Sequence, residues 1–171
     1  MADRKFVKEI MLELFEYPHI PYWFSIEQVI KVMKASFLQA QKHTDPLVVL
    51  VFDEKYNLLG TVSPKEVLKG IASSFINSSA IKQSSEEKKE IDWDNLFGDE
   101  SKKLLQKPVS EIMVPTKHFI DPLDPVTKAA YLMINFDLPV LPVIEDKRKL
   151  IGVVRIFEIF DVISDEIIIK L

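Results

Sequence analysis

Val109-Ser-Glu-Ile-Met113, followed by Leu138-Pro-Val-Leu-Pro-Val143 and Leu150-Ile-Gly-Val-Val154, decides the fold, because the same patterns occur once before in the same order. Val7-Lys-Glu-Ile-Met11 matches the first, Leu47-Val-Val-Leu-Val-Phe52 parallels Pro139-Val-Leu-Pro-Val-Ile144 within and just past the second, and Leu58-Leu-Gly-Thr-Val62 matches the third. Between the first two, Ile26-Glu-Gln-Val-Ile-Lys-Val-Met33 parallels Val126-Thr-Lys-Ala-Ala-Tyr-Leu-Met133. An ordered repeat of this kind means that one structural unit is built twice.

Each unit reads as a lead, a helix, two strands and a closing helix. Val29, Ile30, Val32, Met33, Phe37 and Leu38 keep a helical period, with Ser25 placed to cap the start. Asp124 followed by Pro125 reads as an N-cap with proline at the first helical position of the second copy. Segments 47–52 and 140–144 are short and apolar, as buried strands are. Asp53 to Asn57 and Glu145 to Lys149 are polar connectors of hairpin length. Ser63-Pro64 opens the first closing helix, with Val67, Leu68 and Ile71 on one face, and Ile156, Ile159, Phe160 and Ile163 form the matching face in the second. Eight extra residues separate Met33 from Leu47, compared with Met133 from Pro139, so the first copy carries an insertion around 34–45 that lengthens its helix.

The expected boundaries are a first repeat over 1–75, a polar linker over 76–107 and a second repeat over 108–171. Trp93, Leu96 and Phe97 are apolar anchors within the linker, and Lys103, Leu104 and Leu105 suit a helical turn, so part of it is expected to dock. The four methionines at matched positions, Met11, Met33, Met113 and Met133, read as core fillers.

Bulk properties narrow the function. The chain has 171 residues, 47% of them hydrophobic, enough for a sizeable core without a covalent staple. It has no cysteine, which removes disulfides, thiolate metal sites and thiol nucleophiles. Its net charge of −4 comes from interspersed signs, so no basic face for nucleic acid is expected. The apolar runs are shorter than the roughly 20 residues that span a bilayer, and no secretory leader is evident at Met1, so a cytoplasmic protein is expected. His19, His43 and His118 occur singly, no serine lies in a Gly-x-Ser-x-Gly setting, and four glycines leave no phosphate loop. Neither a metal site nor catalytic machinery is legible.

The ordered set of lead, helix ending in Met, Pro-Val strand, polar turn, Leu-Ile-Gly-Val strand and final helix resembles a cystathionine β-synthase (CBS) domain pair, or Bateman module, over nearly the whole chain outside the linker. The resemblance implies an α/β (α+β) fold of two tandem βαββα repeats packed through their sheets with pseudo-twofold symmetry. It also implies a homodimer and regulation of an attached or partner protein, so the expectation for this chain is either a separate regulated protein or a homodimer that itself acts as the sensor. The ligand it implies is an adenine nucleotide, AMP, ADP or ATP, or a related adenosyl compound such as S-adenosylmethionine. A ligand-free interaction scaffold is the alternative.

By the same resemblance, a Thr or Ser begins the helix after the Gly strand, and an Asp three residues later binds the ribose hydroxyls. In the first copy these positions hold Ser63 and Glu66, with Lys65 available to a phosphate; in the second they hold Arg155 and Glu158. Arg155 suits a phosphate, an ion pair with Glu158 or projection to solvent. Val48 in the first strand, and Pro139 and Val140 in the second, would line the adenine, and Thr116 and Lys117 would add polar contacts beside His118. Phe157, Phe160 and Ile167-Ile-Ile169 are too apolar to leave bare, and a dimer interface would cover them.

Overall fold

The computed structural model describes residues 4–39, 48–77, 98–147 and 149–169. Among the described residues five α-helices, α1 (Ile26–Gln39), α2 (Pro64–Asn77), α3 (Asp99–Leu105), α4 (Val126–Asn135) and α5 (Ile156–Ile169), accompany two sheets. The strands are β1 (Leu12–Glu13), β2 (His19–Pro21), β3 (Val49–Phe52), β4 (Leu58–Val62), β5 (Val114–Pro115), β6 (Val140–Glu145) and β7 (Lys149–Arg155). One sheet has the order β2-β3-β4-β5 and the other β1-β7-β6. Ile120 bridges Val143 in parallel beside β6, as β2 runs parallel beside β3.

The hairpins form where the polar connectors fall. The Asp53 Oδ1 accepts the N–H groups of Lys55 and Asn57 at 2.8 and 2.9 Å, which closes the β3–β4 turn and accommodates Tyr56 at φ 59°. In the β6–β7 turn Asp146 and Lys147 take positive φ values of 49° and 67°, the geometry that matches strand twist.

The leads cross over. β1 pairs antiparallel with β7, so the first lead completes the sheet of the second repeat; β5 pairs antiparallel with β4, so the second lead completes the first. The exchange is reciprocal in its hydrogen bonds. The Val7 N–H donates to the Asp124 carbonyl at 2.9 Å and the Val126 N–H to the Lys5 carbonyl at 3.0 Å, while the Val109 N–H donates to Phe24 at 2.7 Å and the Ile26 N–H to Lys107 at 2.9 Å. Val7 is accordingly buried in the core around Val126, Met133, Leu141 and Ile159, and Val109 in the core around Ile26, Val29, Val51 and Val67. Met33 and Met133 are buried, and Met11 packs against the first of these cores and Met113 against the second.

A third apolar cluster joins the sheets. Leu50, Val140, Leu150 and Val153 meet Leu14 and Tyr17 there, with Val48 and Leu58 against them. The repeats therefore pack through their sheets.

Several local expectations change. α1 is longer than α4, 14 residues against 10, as the insertion requires; residues 40–45 lie outside the described residues, as do Trp93, Leu96 and Phe97. Ser25 does cap α1: its Oγ accepts the Gln28 N–H at 3.2 Å, and Gln28 Oε1 accepts the Ser25 N–H at 2.8 Å. Asp124 does not cap α4. Pro125 holds the N-cap position, extended at φ −70°, and Asp124 Oδ2 instead accepts from the Asp121 N–H and the Lys128 ammonium. Leu68 projects outward, as do Ile156, Phe160 and Ile163, while Val67, Ile159 and Val162 face inward. α5 is apolar on both sides, so periodicity alone does not select its buried face.

α3 docks on the first repeat. Leu104 and Leu105 pack on its core, and Gln106 Nε2 donates to Glu27 Oε2 at 3.0 Å. No described helix is long and apolar enough to cross a membrane, and the described residues contain no group of three or more metal-ligating side chains.

Candidate functional site

In each repeat the hairpin delivers the start of its first strand to the start of the closing helix. Val49 is the register partner of Val62, so Val48 ends beside Ser63. Val140 is the partner of Arg155, and the Pro139 carbonyl accepts the Ile156 N–H at 3.0 Å. The structure thus brings Val48 to Ser63 and Glu66, and Pro139 and Val140 to Arg155 and Glu158. Val140 is buried in the inter-sheet cluster, and Pro139 is exposed.

The first helix start has the carboxylate half of a capping box. Glu66 Oε2 accepts the Ser63 N–H at 2.8 Å and also the Ser63 hydroxyl, while the Glu66 N–H donates to the Ser63 carbonyl at 3.1 Å. Partial burial pushes the Glu66 carboxyl up, but the bonds from Ser63 and the nearby Lys69 charge outweigh it, leaving the pKa below the ordinary glutamate value. Lys65 is exposed one residue away.

The second helix start is an ion pair. Arg155 Nε donates to Glu158 Oε1 and Oε2 at 2.9 and 3.0 Å, Nη2 donates to Oε1, and the Arg155 N–H donates to Oε2 at 3.0 Å. The two side chains are 14% and 15% exposed, so the pair is largely withdrawn from water. Of the placements open to Arg155, the structure shows the ion pair.

Thr116 does not join Ser63. The Thr116 N–H donates to the Leu59 carbonyl at 3.3 Å, at the far end of β4 from Ser63, and its Oγ1 is buried with no hydrogen-bond partner. His118 stacks on Phe136 with ring centroids 3.9 Å apart, which puts it beside the turn leading into β6. Sequence reading did not find this pairing, because 18 residues separate the rings and it is the Ile120–Val143 bridge beside β6, within the second repeat, that brings the segments together.

The architecture is that of a tandem α+β pair whose repeats trade their leads and carry equivalent strand-to-helix junctions. Residues 109–165 match the CBS domain family, and the described residues have the fold of a CBS domain pair. No functionally curated protein matches it. A CBS domain-containing protein of unknown function from Bacillus anthracis superposes with a TM-score of 0.67 at 19% identity, over 94% of each chain. The structure of CBSX2 in complex with AMP gives 0.62 at 19% identity, over 97% of this chain and 98% of that one. The CBS domain pair of protein MJ0100 in complex with 5′-methylthioadenosine and S-adenosyl-L-methionine gives 0.63 at 16% identity, over 95% and 98%.

Proposed function

We propose that this chain is a non-catalytic regulatory module that binds an adenine nucleotide or related adenosyl ligand at the Ser63–Glu66 junction. The observation that carries this reading is the Ser63–Glu66 pair at the start of a 14-residue helix, beside Val48, in a fold whose relatives hold AMP in one case and adenosyl compounds in another. Glu66 would accept the ribose hydroxyls, Ser63 would return its hydroxyl to the ligand, and Lys65 would meet a phosphate near the amide-rich helix start. Val48 would lie against the base.

Signalling would pass through a homodimer. α5 exposes Ile156, Phe160, Ile163 and Ile167 at spacings of four, three and four residues, the seam pattern of helix pairing, with Tyr131 and Ile134 exposed on α4. A second copy covering this stripe would let ligand select one arrangement of the dimer by population shift, and a separate regulated protein would read it. The ligand-free scaffold has one observation in its favour, the closed Arg155–Glu158 pair.

Thermal denaturation with AMP, ADP, ATP and S-adenosylmethionine tests the reading. A ligand present at 100 times its Kd stabilises the fold by about 2.7 kcal/mol, so a clear rise in midpoint with one of them is expected. No shift with any of the four at millimolar concentration contradicts it and favours the scaffold.

A further inference from the structure

We infer that the Arg155–Glu158 pair locks the second junction, so that the chain takes one adenosyl ligand, at the first repeat, and not two. The inference rests on the proposed function and concerns its stoichiometry. The two junctions are equivalent by register, with Ser63 and Glu66 at the positions of Arg155 and Glu158. They differ in how far the carboxylate is spent.

A carboxylate offers about four acceptor positions. In Glu158 the Arg155 side chain and N–H make four contacts distributed over both oxygens. A ribose diol would have to displace a bidentate, charge-assisted pair that is already desolvated, and would leave a guanidinium without its counter-charge. Glu66 is different. Both Ser63 donors fall on Oε2, so Oε1 is not taken by Ser63, and exchanging a neutral hydroxyl for a ligand hydroxyl loses little. Arg155 also places a long side chain where the first repeat has only a hydroxymethyl group, and it is held there by Glu158 rather than turned to solvent.

Calorimetric titration of AMP, and of S-adenosylmethionine, into the wild-type chain, Glu66→Ala, Arg155→Thr and Arg155→Lys separates the possibilities. One ligand per chain is expected for the wild type, with at least a tenfold loss of affinity in Glu66→Ala. Arg155→Thr should gain a second binding event. Arg155→Lys, which keeps the charge but loses the fork, provides the same readout with less disturbance to the strand end. Two ligands per wild-type chain overturn the lock while leaving the binding reading intact, as does a single event in both Arg155 variants when circular dichroism shows them folded. Absence of binding in all four proteins overturns the binding reading and the lock with it.

Discussion

A Cβ built on Gly152 would fall 2.2 Å from the carbonyl oxygen of Leu12, because the first lead runs directly against β7. Gly60 stands in the same relation to Val114, at 2.5 Å. The glycine of each Leu-x-Gly strand therefore serves the close approach of the other repeat's lead, and not a turn. We expect Gly152→Ala and Gly60→Ala each to destabilise the fold by about 1–3 kcal/mol, the range for forced overpacking, as measured by urea denaturation. Changes below a few tenths would mean that the leads do not pass where the structure puts them.

The exchange of leads makes a directional prediction. Val7 is fully buried in the second repeat and Val109 in the first. Val7→Ala should cost about 2 kcal/mol and lower amide protection in β6 and β7 first, and Val109→Ala should do the same in β3 and β4. Hydrogen exchange that weakened each lead's own repeat instead would refute the crossover.

This crossover was not legible in the sequence, and the reason is physical. Val-Lys-Glu-Ile-Met and Val-Ser-Glu-Ile-Met offer the same buried Val and half-buried Met to whichever core receives them, so composition does not say which lead goes where. The repeats, hairpins and Ser25 cap were legible because they depend on residues close in sequence. The outward face of α5 was not, since Ile and Phe occur on both sides of the helix. For the site, the family resemblance put Ser63 and Glu66, and Arg155 and Glu158, at helix starts, which is where α2 and α5 begin, but the neighbours of Thr116 depend on β5 joining the sheet of the other repeat.

Acid should weaken the α2 cap. The Glu66 pKa is lowered in the folded chain, so its ionised form favours folding at pH values above the unfolded pKa, and that contribution fades as pH falls through the folded value. The stability difference between wild type and Glu66→Gln should therefore be constant near neutrality and shrink below about pH 4.3, the ordinary glutamate value. Ser63→Ala should cost about 1 kcal/mol at neutral pH through loss of the hydroxyl's hydrogen bond to the Glu66 carboxylate. A difference that grows on acidification would contradict the assignment.

The Arg155–Glu158 pair should couple strongly. A double-mutant cycle with Arg155→Ala and Glu158→Ala is expected to give about 1.5–3 kcal/mol, the range for hydrogen bonds to charged groups. Coupling near zero would show the pair to be a solvated surface contact.

Phe160 is 65% exposed at the centre of the α5 stripe. If a second copy covers it, light scattering should give twice the chain mass for the wild type and the chain mass for Phe160→Asp. A wild-type monomer at tens of micromolar would remove the dimer from the mechanism.

The most direct test of ligand binding at the first junction is amide chemical-shift mapping of the ¹⁵N-labelled chain titrated with AMP and, separately, with S-adenosylmethionine. The account predicts saturable shifts centred on Val48, Ser63, Lys65 and Glu66, with the Arg155 and Glu158 amides changing little. Saturating additions of both ligands that leave the Ser63 and Glu66 resonances unmoved would contradict it.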